Sequence, residues 1–203
     1  MTTNNFRKSD SIEYALTKWY DEIVAMQSQY TKPYERIVKN CSGDILQLGK
    51  NLQKNAGKKQ SKSSIKTKEQ LIEEIKCIIP EINEFIDFIY NYITLVEEIE
   101  GFELDLDTPE KLISLFKSNI DTFEELKITL RDLIKSANVA FKKDKKPKKE
   151  LEETYENHLK RFNKKTKEIN SEHNKIFSEF KSMVDELNNE VSHAKKIGEE
   201  KIA

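Results

Sequence analysis

Two runs of lysine are the residues in this chain whose type and spacing are best suited to binding a ligand. The first lysine run extends from Lys50 to Lys68 and contains seven lysines and no carboxylate. The second lysine run, with the sequence KKDKKPKK, extends from Lys142 to Lys149. Anionic lipid headgroups attract polybasic segments by about 1 kcal/mol per lysine or arginine near the surface. The runs therefore predict salt-sensitive binding to an anionic surface, and the alternative is a pair of solvated turns.

Residue types that could support catalysis or hold a metal are present, but their spacing is unsuitable. The three histidines, His158, His173 and His193, include no pair four residues apart, as a metal site on one helix requires. Cys41 and Cys77 match no metal-binding or redox motif. The sequence contains no glycine-rich phosphate loop and no nucleophile elbow. We therefore expect a protein that is not an enzyme and that needs no cofactor.

Composition indicates a helical, cytoplasmic protein. Charged residues make up 35% and hydrophobic residues 36%, with only 5 glycines and 4 prolines, a mixture typical of long helices. The net charge of -1 argues against a general nucleic-acid binder. No stretch resembles a signal peptide or a membrane-spanning helix. Acidic residues are concentrated between Glu69 and Glu110, where thirteen carboxylates accompany one base, Lys76.

The helix around which the fold should be organised lies between Thr67 and Ile99. Its apolar residues follow a heptad repeat in alternating steps of four and three, at Leu71, Ile75, Ile78, Ile82, Phe85, Ile89, Tyr92, Val96 and Ile99. A second apolar row lies beside the first, at Ile72, Ile79, Ile86 and Ile93. A face this wide predicts contact with at least two other helices. We expect the first row to pack inside the monomer and the second row to form part of a homodimer interface. The alternative is an ordinary core helix.

Hydrophobic periodicity predicts three long helices in all. They are expected at residues 11–55, at residues 67–141 with a break near residues 101–109, and at residues 148–198. Helix 1 should be kinked by Pro33, and its core stripe includes Trp19, Tyr30 and Tyr34. Short connections favour antiparallel neighbours. The predicted fold class is all-α: one domain, residues 1–203, built as a long, kinked, antiparallel three-helix coiled-coil bundle that forms an elongated homodimer.

Two segments resemble BAR domains of the arfaptin and ACAP/ASAP type. LISLFKSNIDTFEELKITLRDL (Leu112 to Leu133), followed by a lysine-rich turn, is similar to their helix 2 as it enters the tip. KKELEETYENHLKRFNKKTKE (Lys148 to Glu168) is similar to the start of their third helix. The N-terminal region favours a plain BAR domain, since Phe6 is its only large apolar residue. The resemblance implies a crescent-shaped homodimer that binds phosphoinositide-containing membranes, senses or shapes their curvature in processes such as endocytosis, and has a small GTPase as a partner.

The resemblance also implies which residues face the lipid. They are lysines of the tip, of the first loop and of helix 3: Lys142, Lys143, Lys145, Lys146, Lys148, Lys149, Lys54, Lys58, Lys59, Lys62, Lys66, Lys160, Arg161, Lys164 and Lys165. The chain departs from the family in being nearly neutral, with an acidic first half of helix 2. This departure keeps a second function open, in which the protein is a coiled-coil interaction scaffold or a small-GTPase effector with little lipid binding.

Overall fold

The protein is all-α in the computed structural model, which describes residues 3–55, 62–99, 106–142 and 147–200. The described residues contain no β-strand. The helices are α1 (Thr3–Asn40), α2 (Leu46–Asn55), α3 (Lys62–Glu97), α4 (Thr108–Ala140) and α5 (Lys149–Glu200), with a π-helical turn (Cys41–Ile45) between α1 and α2. This result confirms the predicted fold class at the level of secondary structure.

The helix α1, the π-helical turn and α2 form one continuous helical segment. The described residues therefore contain four helical segments: this one, α3, α4 and α5. Asn40 and Leu46, which flank the π-helical turn, both have right-handed helical backbone angles. A π turn accommodates one extra residue in a helix without ending it. The helical segment also continues through Pro33, and α3 continues through Pro80.

Helix 2, predicted at residues 67–141 with a break near residues 101–109, is divided near that break into α3 and α4. The prediction that the two parts continue as one long element is wrong, because α3 and α4 pack against each other as antiparallel neighbours. The rings of Phe85 and Phe123 lie 4.9 Å apart between centroids. Farther along, the ammonium of Lys68 donates a hydrogen bond of 3.1 Å to the carbonyl oxygen of Phe141. Residue numbers therefore fall along α3 as they rise along α4. The chain direction therefore reverses between Glu97, where α3 ends, and Thr108, where α4 begins. The described residues form four packed helical segments where three were expected.

The described chain divides into two compact units, each built from parts of all four helical segments. Unit 1 consists of Met1–Thr31, Asp87–Asn119 and Asn174–Ala203. Its core contains a layer of four rings, one from each helical segment: Tyr30, Tyr92, Phe116 and Phe180. Centroid distances within the layer are 4.5 Å for Tyr92–Phe116 and 5.1 Å for Phe116–Phe180. Such tilted and edge-to-face ring pairs add stability beyond the burial of apolar area.

Unit 2 consists of Lys32–Ile86 and Ile120–His173 and has a comparable layer. The layer contains Tyr34, Phe85, Phe123 and His173, again one ring from each helical segment. The Tyr34 ring lies 5.4 Å from Phe123 and 4.7 Å from His173. The hydroxyl of Tyr34 donates a 2.9 Å hydrogen bond to the carbonyl oxygen of Ile169. The prediction that Tyr30, Tyr34 and Trp19 are core residues is confirmed, since each is at most 4% exposed.

The burial of α3 explains its wide apolar face. All nine residues of the first apolar row are buried within the chain, as predicted. In the second row, Ile86 and Ile93 are also buried, at 4% and 6% exposure. Ile72 and Ile79 are half-buried. Ile86 and Ile93 are therefore covered within the single chain, which leaves Ile72 and Ile79 as the candidates for a subunit interface.

Candidate functional site

A chain of four contacting residues brings the two lysine runs to one end of unit 2. The Lys68 ammonium on α3 donates to the carbonyl oxygen of Phe141, the residue that follows α4, at 3.1 Å. The Phe141 ring meets the edge of the Tyr155 ring of α5, with 5.0 Å between centroids. The Tyr155 hydroxyl donates a 3.0 Å hydrogen bond to the carbonyl oxygen of Gly49 on α2. The helix ends that carry both lysine runs therefore lie together.

Six exposed lysines from the two runs surround these helix ends, and we call them the basic end. They are Lys50, Lys54, Lys66, Lys142, Lys148 and Lys149. Only Lys149 lies within ion-pair distance of a carboxylate in the part of the chain that the structure describes. That carboxylate is Glu153, at 3.8 Å, and both side chains are largely exposed. Exposed pairs of this kind are weak, so the basic end keeps a surplus of positive charge.

The basic residues farther along α5 have a different electrostatic setting. Lys160 lies 3.9 Å from Glu156, and Lys164 lies 3.5 Å from Glu168. These pairs are exposed and weak, but each places a carboxylate beside the base. Lys160 and Lys164 therefore each have a carboxylate within 4 Å, as Lys149 of the basic end does.

Two further ion pairs on the same stretch join α5 to α4. Arg161 lies 3.7 Å from Asp132 of α4. Lys165 bonds to Glu125, also on α4, and this hydrogen bond, with the charge of Lys165, lowers the pKa of the Glu125 carboxyl. The basic groups of Arg161 and Lys165 are therefore engaged with α4.

The structure places the predicted lipid-facing residues unevenly. Lys142, Lys148 and Lys149 are exposed at the basic end, together with Lys54 and Lys66. The remaining lysines of the two connections lie outside the described residues: Lys58, Lys59, Lys143, Lys145 and Lys146. Lys62 begins α3, but its side chain is not among those described.

The sequence interpretation missed two features of this region. Lys50 was not among the predicted lipid-facing residues, although it belongs to the first lysine run. The meeting of the two runs was also missed, since it follows from the reversal between α3 and α4. The acidic, helix-breaking stretch after Glu97 was the available signal for that reversal.

The described residues contain no group of histidine, cysteine and carboxylate side chains close enough to hold a metal ion. None of the described helices is long and apolar enough to cross a membrane. Of the two cysteines, Cys77 is exposed and Cys41 is buried. Burial, followed by the nearby charge of Glu81, raises the pKa of the Cys41 thiol to about 12, so this thiol is a poor nucleophile.

Comparison with known proteins finds no match among family models, curated proteins or solved structures. The resemblance to BAR domains thus stays a prediction from the sequence. Its two segments lie in α4 and α5, whose ion pairs Glu125–Lys165 and Asp132–Arg161 show an antiparallel pair. The reversal between α3 and α4 has no counterpart in the three-helix arrangement that the resemblance implies.

Proposed function

We propose that the protein binds anionic membrane surfaces through the basic end, as a peripheral contact that involves no covalent chemistry. The observation that carries the proposal is the convergence of six exposed lysines from two separate runs on one end of unit 2. Only one of them has a described carboxylate partner. Separate lysine-rich turns would be unremarkable, but a shared surface can meet one membrane with both runs.

The expected strength of this contact follows from the number of lysines. Each lysine near an anionic surface contributes about 1 kcal/mol, and the effect decays within a Debye length of about 8 Å at physiological salt. Both connections between the helix ends are lysine-rich in sequence, with Asp144 as their only carboxylate. Several lysines acting together therefore give useful affinity, and a phosphoinositide headgroup, which carries more charge than phosphatidylserine, should increase it.

The proposal is narrower than the set of residues implied by the resemblance. Lys160, Arg161 and Lys164 are paired with neighbouring carboxylates, and we assign them a minor part. Curvature sensing, which the resemblance implies for a crescent-shaped homodimer, is not part of this proposal and stays a prediction from the sequence. A homodimer, a cytoplasmic location and a small GTPase partner stay predictions from the sequence, with Ile72 and Ile79 as the remaining interface candidates.

Co-sedimentation with vesicles tests the proposal. The basic-end variant replaces all six lysines of the basic end by glutamine. Wild-type protein should pellet with vesicles that contain phosphatidylserine or phosphoinositide and should stay in the supernatant with neutral vesicles. The basic-end variant should bind the anionic vesicles at least about 100-fold more weakly, since each lysine contributes about 1 kcal/mol.

A matched control removes the same amount of charge elsewhere. It replaces six other exposed bases by glutamine: Lys39, Lys160, Arg161, Lys164, Lys175 and Lys181. This control should retain most of the binding. Equal loss in the two variants would show a contact governed by net charge alone and would overturn the assignment to the basic end. No pelleting of wild type on any vesicle would favour the alternative function, a protein-interaction scaffold or GTPase effector.

A further inference from the structure

The contacts that join the two lysine runs lie directly beside the lysines themselves. Gly49 precedes Lys50, and Phe141 precedes Lys142. Gly49 and Phe141 are connected through the buried ring and hydroxyl of Tyr155. A shift of any of these helix ends would therefore move one lysine run relative to the other.

Lys68 differs from the other described lysines of the first run. Its side chain is half-buried, and its ammonium donates to the carbonyl oxygen of Phe141 at 3.1 Å. Carbonyl groups at a helix C-terminus lack intrahelical partners, and a cation there interacts favourably with the helix dipole. Lys68 is thus engaged in fixing the end of α4, immediately before the second lysine run.

The helices α2 and α5 approach each other closely at Gly49. A Cβ atom added there would lie 2.6 Å from Cδ1 of Leu159, a buried side chain. The same glycine accepts the Tyr155 hydrogen bond through its carbonyl oxygen. A side chain at this position would require Leu159 to shift, so the close contact of the two helices, directly before Lys50 of the basic end, favours glycine.

We infer that Gly49, Lys68, Phe141 and Tyr155 are positioning residues, which hold the two lysine runs in one surface so that both runs engage the same membrane at once. This inference rests on the proposed function. Without the positioning contacts, each run would bind by itself, and the gain from simultaneous engagement would be lost. Lys68 contributes through Phe141 and does not itself contact lipid.

The first experiment compares variants that remove one run at a time. One variant replaces Lys50, Lys54 and Lys66 by glutamine, and the other replaces Lys142, Lys148 and Lys149. If both runs bind together, each variant loses about 100-fold in affinity for anionic vesicles. If the runs bind separately, either run substitutes for the other and each variant loses only about twofold. The second result would overturn the inference.

The second experiment loosens the positioning contacts without changing the charge. Gly49→Ala should bind about as weakly as a single-run variant, and removal of one run in this background should cost only about twofold more. Gly49→Ala combined with Leu159→Ala restores space for the Cβ atom. This double variant should regain wild-type affinity for anionic vesicles, and removal of one run from it should again cost about 100-fold. Tyr155→Phe, which deletes only the hydroxyl, provides a second variant if Gly49→Ala does not fold, as judged by circular dichroism.

Three outcomes separate this inference from the proposed function. Absence of wild-type binding to anionic vesicles refutes the proposed function itself. Wild-type binding with small losses in both single-run variants refutes only the inference. Retention of wild-type affinity in folded Gly49→Ala and Tyr155→Phe shows that these residues do not position the runs. Neither Lys68→Arg nor Lys68→Met changes the six lysines of the basic end. Lys68→Arg keeps a cation that can donate to the carbonyl oxygen of Phe141 and should retain binding, whereas Lys68→Met removes the donor and should weaken binding.

Discussion

The two ends of α4 are fixed by opposite charges, and each charge matches the sign of the nearest connection. At the N-terminal end, in unit 1, Glu190 accepts hydrogen bonds from the Thr108 hydroxyl at 2.8 Å and from its backbone N–H at 3.3 Å. At the C-terminal end, in unit 2, the Lys68 ammonium donates to Phe141. A carboxylate at a helix N-terminus and an ammonium at a C-terminus both interact favourably with the helix dipole.

The connections next to these ends carry the same signs as the capping groups. Between Glu97 and Glu110 the sequence contains seven carboxylates and no base, whereas the lysine runs adjoin the other end. Capping each end with a charge of the local sign adds to the surplus rather than cancelling it. Acidic residues are therefore concentrated near the N-terminal end of α4 and lysines near its C-terminal end. The group that caps each end does not neutralise the charge of the connection, which stays available to an external partner.

The largest expected effect is a difference in stability between the two units at alkaline pH. Burial raises the pKa of Tyr34 and Tyr155 in unit 2 and of Tyr92 in unit 1. Burial also raises the pKa of the Cys41 thiol, in unit 2, to about 12. In unit 1 the half-buried Tyr20 also has a raised pKa, from burial and from the charges of Asp185 and Asp21. Because these folded-state values exceed the unfolded ones, the stabilisation is complete below about pH 9 and is lost as the pH rises through the folded values, by about 1.4 kcal/mol per pH unit and group. Unit 2, with three such groups, should open at lower pH than unit 1.

Hydrogen exchange followed by mass spectrometry at increasing pH measures the two units separately. The return of the native exchange pattern at neutral pH is the control for irreversible damage. Simultaneous opening of both units, or undiminished protection above about pH 11, where the unfolded groups are ionised, would contradict the expected difference.

Reversal of the capping charges should have the next largest effect. Lys68→Glu removes one hydrogen bond and Glu190→Lys removes two. Both place a charge of the wrong sign at a helix end, so each should lower the free energy of unfolding by about 2 kcal/mol or more. Urea denaturation measures this loss. Lys66→Glu, at an exposed lysine of the same run, serves as the control and should change stability by less than about 0.5 kcal/mol. A loss in the control as large as in Lys68→Glu would refute the capping role.

The last comparison concerns the ring layers of the two units, where one substitution should have an effect of similar size and the other a smaller one. Unit 1 has Phe180 where unit 2 has His173. Phe180→His places a polar ring in a buried layer and should cost about 2 kcal/mol, whereas His173→Phe should gain about 0.5 kcal/mol. Thermal unfolding measures both changes. If the two substitutions shift the melting temperature in the same direction, Phe180 and His173 do not have equivalent places in the two ring layers.

The helices were largely predictable from the sequence, whereas their directions were not. The heptad between Leu71 and Ile99 identifies both a helix and its buried face, and the structure buries all nine of those residues. The same periodicity resumes after the break that follows Glu97, but a repeat carries no information about whether the chain continues or turns back. The Phe85–Phe123 contact settles that point, because it requires α3 and α4 to lie side by side.

The charge pattern predicted the basic residues but not their grouping. Counting basic residues treats Lys165 and Lys149 as equivalent, yet Lys165 is engaged by a carboxylate of the neighbouring helix α4, whereas Lys149 has only a weak, exposed partner on its own helix. Such pairing depends on which helix lies opposite. In the same way, the row containing Ile86 has the pattern of a subunit interface, and only the packing shows that Ile86 and Ile93 are buried within one chain.

The most direct test of the central claim is a lysine-modification footprint on the intact protein. Acetylation is followed by mass spectrometry with neutral vesicles and with vesicles that contain phosphoinositide. The lysines of the basic end should be protected only by the anionic vesicles, while Lys160 and Lys164 should be modified equally in both samples. Equal modification of the basic end in both samples, or protection confined to Lys160 and Lys164, would contradict the claim that the basic end is the membrane-binding surface.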